Sequence, residues 1–257
     1  MYGWRARVGL VAPSRGDVMM YEFNQVAPPG VMCTPYILNL KELVNEELQS
    51  VNQRYEEAVR ALDRERVDVI YVGGTPPQIV NGLEAYSQLA TRLRSLTDIP
   101  LITCMEGEVA ALRGNGVTRA AVLTPHEEDL NKRFRGLLEA EGIEVVALRG
   151  IGLRPAFEIS FITDYEVSRH LLSLSQDTGS DSDGVYMTCG RWPSINRLWE
   201  LEEVTGKRVM SSSQTWIWST LTRLGIRPRP GRWGSLFDVD ASQLDEVASH
   251  YTLAAAS

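Results

Sequence analysis

Three stretches of this chain occur twice, in the same order. "RVGLVAPS" from Arg7 is similar to "RAAVLTPH" from Arg119, and "DVIYVGG" from Asp68 is similar to "DGVYMTC" from Asp183. "PLITCMEGEVAALRGNGV", ending at Val117, is similar to "KRVMSSSQTWIWSTLTRLGI", ending at Ile226. A chain that repeats an ordered set of apolar segments is constrained to build the same packed unit twice. Two related halves, stacked as two lobes with a cleft between them, are therefore expected. The 257 residues are long enough for this.

Within each half, short apolar runs alternate with longer amphipathic stretches. "RVGLVAPS", "VMCTPYIL", "VDVIYVGG" and "PLITC" read as strands. "EELQSVNQRYEEAVRALDRER" carries Val51, Tyr55, Ala58, Val59 and Leu62 as a helical stripe, and "GEVAALRGNG" is a helix stopped by Gly-Asn-Gly. The second half follows with "RAAVLTPH", the helix "EEDLNKRFRGLLEAEG" and the strand "IEVVAL". This alternation predicts an α/β fold in which each lobe is a mostly parallel sheet flanked by helices. Residues 1–117 form the first lobe, completed by the segment 227–257, and residues 118–226 form the second.

Composition excludes several classes of function. The net charge of −7 argues against general nucleic-acid binding, which needs a basic surface. No apolar run approaches the ~18 residues of a membrane helix, and the opening "MYGWRARVGLVAPS" reads as a first strand rather than a signal peptide. The three cysteines, Cys33, Cys104 and Cys189, are too widely spaced for a CxxC metal pattern or a disulfide framework. The three histidines lack zinc-ligand spacing, and no dinucleotide or phosphate-loop fingerprint is present. The expectation is a cytoplasmic protein with reduced thiols and no metal site; anionic small substrates, which need only a few local donors, stay open. Nothing in the pattern sets a number of subunits.

One stretch invites a chemical reading. In "DGVYMTCGRWPS" the apolar run Val185-Tyr186-Met187 is followed by Thr188, Cys189 and Gly190. A structural cysteine packs among aliphatics inside a strand. A cysteine at the strand's exit, beside a glycine that lets the backbone come close, sits where parallel sheets present their chemistry. Gly74 lies six residues after Asp68, as Cys189 lies six after Asp183, so the repeat makes the two positions counterparts across the cleft. Plainer roles compete. Thr75 is a natural helix cap, Cys33 lies inside a strand pattern, Cys104 reads as structural or supporting, and Trp192, Trp216 and Trp218 read as core.

These residues resemble the aspartate/glutamate racemase superfamily, and within it the branch of arylmalonate decarboxylase and maleate cis-trans isomerase. "SDGVYMTCG", "IYVGGT", "RVMSSS" and the late "RPGRWGSLF" carry the resemblance, which extends over nearly the whole chain. It implies two flavodoxin-like lobes of opposed parallel sheets, an active site between them, and no cofactor. The superfamily's racemases use one cysteine from each lobe. Here the first position is Gly74, so the resemblance implies a single catalytic cysteine, Cys189, with Gly74, Thr75 and Gly190 at substrate-binding positions. Departures from the pattern concern the remaining donors. Pro76 supplies neither a hydroxyl nor an N–H. His126 stands where a tyrosine helps hold a carboxylate, and Arg191 stands for a second glycine. "PSRGD" (Pro13, Ser14 and Arg15 among them) replaces a loop that carries an asparagine. Arg15, His126 and Arg191 are read as cationic replacements, and Pro13, Ser14, His126 and Arg191 as substrate-binding.

The resulting expectation is a lyase: cofactor-independent decarboxylation of a malonate-type acid. An oxyanion hole stabilises the enediolate and Cys189 protonates it. One alternative is a maleate-type cis-trans isomerase with Cys189 as a thiolate nucleophile whose pKa is depressed by Arg191 or His126. The other is a catalytically silent carboxylate-binding protein.

Overall fold

The computed structural model describes residues 2–153 and 157–253. The first half runs β1 (Ala6–Ala12), α1 (Asp17–Val26), β2 (Val31–Ile37), α2 (Asn45–Arg64), β3 (Val69–Val72), α3 (Thr75–Ile79), α4 (Leu83–Arg94), β4 (Leu101–Thr103) and α5 (Cys104–Gly114). The second runs β5 (Arg119–Thr124), α6 (Glu128–Ala140), β6 (Glu144–Gly150), α7 (Asp164–Thr178), β7 (Gly184–Met187), α8 (Leu198–Thr205), β8 (Arg208–Ser211) and α9 (Ser212–Arg223). A last helix, α10 (Ser242–Leu253), follows. The strands form two four-stranded sheets, ordered β2-β1-β3-β4 and β6-β5-β7-β8. Every neighbouring pair is parallel. The central strands are near-continuous apolar runs because helices cover both faces of a parallel sheet; β3 and β7 are buried at every residue.

The sequence repeat reappears as a repeat of hydrogen bonds. Asp68 N–H donates to the Arg7 carbonyl (2.8 Å) and Asp183 N–H to the Arg119 carbonyl (3.0 Å). The Asp68 carboxylate accepts from the Arg7 N–H (2.7 Å), and the Asp183 carboxylate from the Arg119 N–H (3.0 Å). At the far ends of the strands, Gly73 N–H donates to the Val11 carbonyl and Thr188 N–H to the Leu123 carbonyl. The structure thereby aligns Gly73 with Thr188, and Gly74 with Cys189. Beyond the outer strands, Leu40 N–H reaches the Pro13 carbonyl just as Leu153 N–H reaches that of Pro125.

The two halves meet through α5 and α9. Each starts directly from a strand, capped by a hydroxyl: Thr103 Oγ1 accepts from the Glu106 N–H (3.4 Å), and Ser211 Oγ from the Gln214 N–H (3.1 Å). Both are buried along most of their length, Cys104 to Leu112 and Ser212 to Leu221. They approach closely at small residues: a methyl group added at Gly107 would lie 3.5 Å from Ser219 Oγ. Trp216 of α9 stacks on Phe23 of α1 with ring centroids 5.0 Å apart. After α9 the chain returns to the first half. Arg229 N–H donates to the Val26 carbonyl (2.8 Å), and Tyr251 of α10 meets Tyr86 of α4 edge-on at 4.7 Å. No helix among the described residues is long and apolar enough to cross a membrane.

Candidate active site

The carboxyl ends of the strands of both sheets face a cleft of about 700 Å³. In parallel α/β proteins this is where loops gather. Every residue assigned to the site from sequence lines it: Pro13 and Ser14 after β1, Gly74 and Thr75 after β3, His126 after β5, and Cys189, Gly190 and Arg191 after β7. Arg15 lies at the rim, mostly exposed and paired with Asp17.

The two glycines serve different purposes. Gly74 has φ +105°, and a Cβ there would meet Pro13 Cγ at 2.5 Å and Tyr55 Oη at 2.7 Å. The first lobe thus has no room for a side chain opposite Cys189. Packing at Gly190 is tight: a Cβ would approach Met19 Sδ of α1 to 3.0 Å. Cys189 is half-buried and unpaired. Burial pushes its thiol up to about 11. The N–H groups of Arg191 and Trp192 and the Arg191 guanidinium act in the opposite direction without overcoming it. At neutral pH the group is a thiol, not a thiolate.

Two of the expected cations behave differently from the sequence reading. His126 is only 4% exposed. Burial lowers its pKa to about 4, so it lines the cleft as a neutral imidazole rather than a cation. Neither ring nitrogen has a partner among the described residues. Arg15 spends its charge on Asp17. Arg191 remains a buried cation: Nε donates to Ser160 Oγ (2.9 Å) and Nη1 to Ser14 Oγ (3.1 Å) across the cleft, while Nη2 has no partner among the described residues. A guanidinium held by two hydroxyls and facing a cleft is suited to a carboxylate.

The structure adds a residue that the sequence reading passed over. Glu108 of α5 is fully buried and lines the cleft floor. Its Oε1 accepts from Ser212 Oγ (2.8 Å) and Thr75 Oγ1 (3.0 Å), while Oε2 has no partner among the described residues. Burial raises its pKa to about 7, against the opposing effect of the Ser212, Tyr186, Thr75 and Thr188 hydroxyls. Cys104, read from sequence as structural or supporting, also lines the cleft, with Sγ 3.6 Å from Thr75 Oγ1, and burial holds it as a thiol. The lining also includes the apolar side chains of Met19, Leu40, Leu43, Pro77 and Ile159. Among the described residues no group of three or more His, Cys, Asp or Glu side chains is placed to hold a metal ion.

The family described as arylmalonate decarboxylase matches this chain over residues 8–237. An arylmalonate decarboxylase from Bordetella bronchiseptica is 25% identical over 236 residues, spanning 90% of this chain and 96% of its own. A maleate isomerase from Alcaligenes faecalis is 26% identical over 132 residues, about half of each chain (51%). The crystal structure of the maleate isomerase Iso from Pseudomonas putida S16 superposes with a TM-score of 0.83 at 25% identity, covering 90% of this chain and 98% of the isomerase. A liganded variant of arylmalonate decarboxylase also superposes at 0.83, with 22% identity and coverage of 91% and 99%.

Proposed function

The chain belongs to the arylmalonate decarboxylase family, and on that premise we propose that it is a cofactor-independent decarboxylase of a malonate-type acid, with Cys189 as the proton donor. The relatives are enzymes of two classes, a lyase and a cis-trans isomerase. The observation that favours the lyase is the state of the cleft cysteine. An isomerase mechanism that adds sulfur to a double bond needs a thiolate. Cys189 is held as a thiol by burial, with its pKa pushed up to about 11. The cation expected at His126 to depress it is absent.

The reaction balances with the groups available. One carboxylate of R–CH(COO⁻)₂ rests against the apolar side chains of Leu40, Leu43 and Ile159, where its charge is poorly solvated. The other is held at the polar end by Arg191 and by the N–H groups of Thr75, Cys189 and Gly190. The C–C bond breaks, carbon dioxide leaves, and the electron pair moves into the remaining carboxylate as an enediolate. The Cys189 S–H then gives its proton to the carbon, forming R–CH₂–COO⁻, and the thiolate left behind regains a proton from water. Donors preorganised around the enediolate oxygens supply most of the acceleration in such chemistry.

The test is incubation of the purified protein with phenylmalonate, methylmalonate and maleate. Carbon dioxide release from a malonate is the expected result. Fumarate formation from maleate would replace this reading with the isomerase. Binding without turnover would leave a carboxylate-binding protein.

A further inference from the structure

The pseudo-symmetry of the fold marks Glu108 as an anomaly. Counted from the two capping residues Thr103 and Ser211, Glu108 of α5 and Trp216 of α9 hold the same position in their helices. Trp216 does what a buried position in a central helix ordinarily does: it packs on Phe23 and Tyr71. Its counterpart is a carboxyl group with no cationic partner among the described residues, sitting at the cleft floor. A buried carboxyl without a cation is costly in its charged form, which favours the protonated acid.

The hydrogen bonds say which oxygen carries that proton. Oε1 is occupied by two donors, the hydroxyls of Ser212 and Thr75. With both hydroxyls donating to Oε1, the proton of the neutral acid sits on Oε2, the oxygen without a partner among the described residues. The Thr75 hydroxyl has only one hydrogen, and directing it to Glu108 leaves none for a substrate. Thr75 immediately precedes Pro76, the position without an N–H. The first-lobe side of the site thus falls two donors short, and Glu108 is the group bonded to that corner.

We propose that Glu108 is a catalytic residue that acts as a neutral carboxylic acid, donating a hydrogen bond from Oε2 to a substrate carboxylate oxygen and to the enediolate formed from it. It replaces the donors that Pro76 and Thr75 do not offer. No proton transfer is required of it, since the hydrogen bond strengthens as the oxygen gains charge. The inference rests on the reading that the cleft binds a carboxylate.

A consequence is that the site binds a carboxylate together with a proton once Glu108 has ionised, that is, at pH values above about 7. The other ionisable groups around it do not interfere. Tyr71 of β3, Tyr186 of β7 and Cys104 of α5 all titrate far above neutrality. Cys189 does so near 11 and His126 near 4. Glu106 of α5 is paired with Arg94, and Arg191 is cationic throughout. Among the described residues that line the cleft, Glu108 is the one that changes charge between pH 6 and 8.5; Glu22, raised by burial, lies outside that lining.

The probe is phenylacetate, a monoacid that cannot decarboxylate and is fully ionised in this range. Calorimetric titrations at pH 8 in buffers of different ionisation enthalpy give the protons taken up on binding. Wild type is expected to take up about one, and Glu108→Gln, which keeps a donor but does not titrate, none. Phenylacetate affinity of wild type should fall about tenfold per pH unit above 7, and that of Glu108→Gln should stay level, with thermal melts confirming that both are folded. No uptake by wild type at pH 8, equal uptake by both proteins, or no binding at any pH would overturn the proposal. Proton-linked binding without carbon dioxide release from any malonate would sink the decarboxylase reading and leave the role of Glu108 intact.

Discussion

Cys189 owes its place in the cleft to where β7 stops. The strand is held by β5 as far as Met187, and the Thr188 N–H makes the last bond to the Leu123 carbonyl. The next side chain is released into the cleft with its sulfur half-buried. Burial keeps the proton on that sulfur, as the proposed acid requires. Cys189→Ser should therefore lose at least a hundredfold in kcat on a malonate substrate, a typical loss for a general acid, with an unchanged melting profile. Cys33→Ala, on β2 and remote from the cleft lining, should keep its activity. Equal turnover by the serine variant would refute the role. Cys189 was legible in the sequence because the six-residue spacing from Asp183 matches that from Asp68 to Gly74. Glu108 was not, because a glutamate in "GEVAALRGNG" reads as the solvated face of an amphipathic helix. Only the packing of α10 and α9 around α5 makes every side of that helix an interior one. The one clue was its alignment with a tryptophan in the other half.

At the scale of elements, α1 decides how firmly the cysteine loop is held. Its buried face carries Met19, Glu22, Phe23 and Val26. A glutamate on an apolar stripe looks like a flaw until the loop of the second lobe is laid against it. Glu22 Oε1 accepts from the N–H groups of Ser194 (2.5 Å) and Ile195 (2.8 Å), which lie just beyond Cys189 and Arg191. Met19, one turn earlier, packs on Gly190. The first lobe thus clamps the loop that bears Cys189. Glu22→Leu would leave two buried N–H groups without an acceptor, costing about 1–3 kcal/mol each. The expected result is a clear fall in Tm together with reduced kcat, measured on the same preparation. An unchanged Tm would show that the clamp contributes nothing. Most strands and the helices α2, α5 and α6 were legible from apolar runs and helical stripes, whereas α7, 15 residues long, was not read from the sequence. The Glu22 contact was not legible either, because it joins residues more than a hundred and seventy positions apart through backbone donors that no side-chain pattern reveals.

For the whole molecule, a buried carboxyl with a raised pKa has a cost that depends on pH. Glu108 moves from its ordinary value of 4.5 to about 7 on folding. Between those values the folded protein holds a proton that the unfolded chain has released. Its stabilising contribution is thus complete below about 4.5 and is lost as pH rises through about 7. A gap of this size corresponds to about 3 kcal/mol. Glu22, also raised by burial, acts in the same direction. Glu108→Gln should flatten much of the decline in urea-unfolding free energy between pH 5 and pH 8; a decline identical to that of wild type would mean that Glu108 titrates normally. The fold's near-symmetry has one more consequence. Two equivalent lobes would offer a planar intermediate the same acid from above and below. Here one counterpart is a thiol and the other a glycine with no room for a side chain. Under the proposed reaction, a malonate bearing two different substituents receives its proton from a single direction, and its product is one mirror-image form. Chiral chromatography of the acid formed from a methyl-aryl malonate should give one peak, where a lobe pair with matched acids would give two.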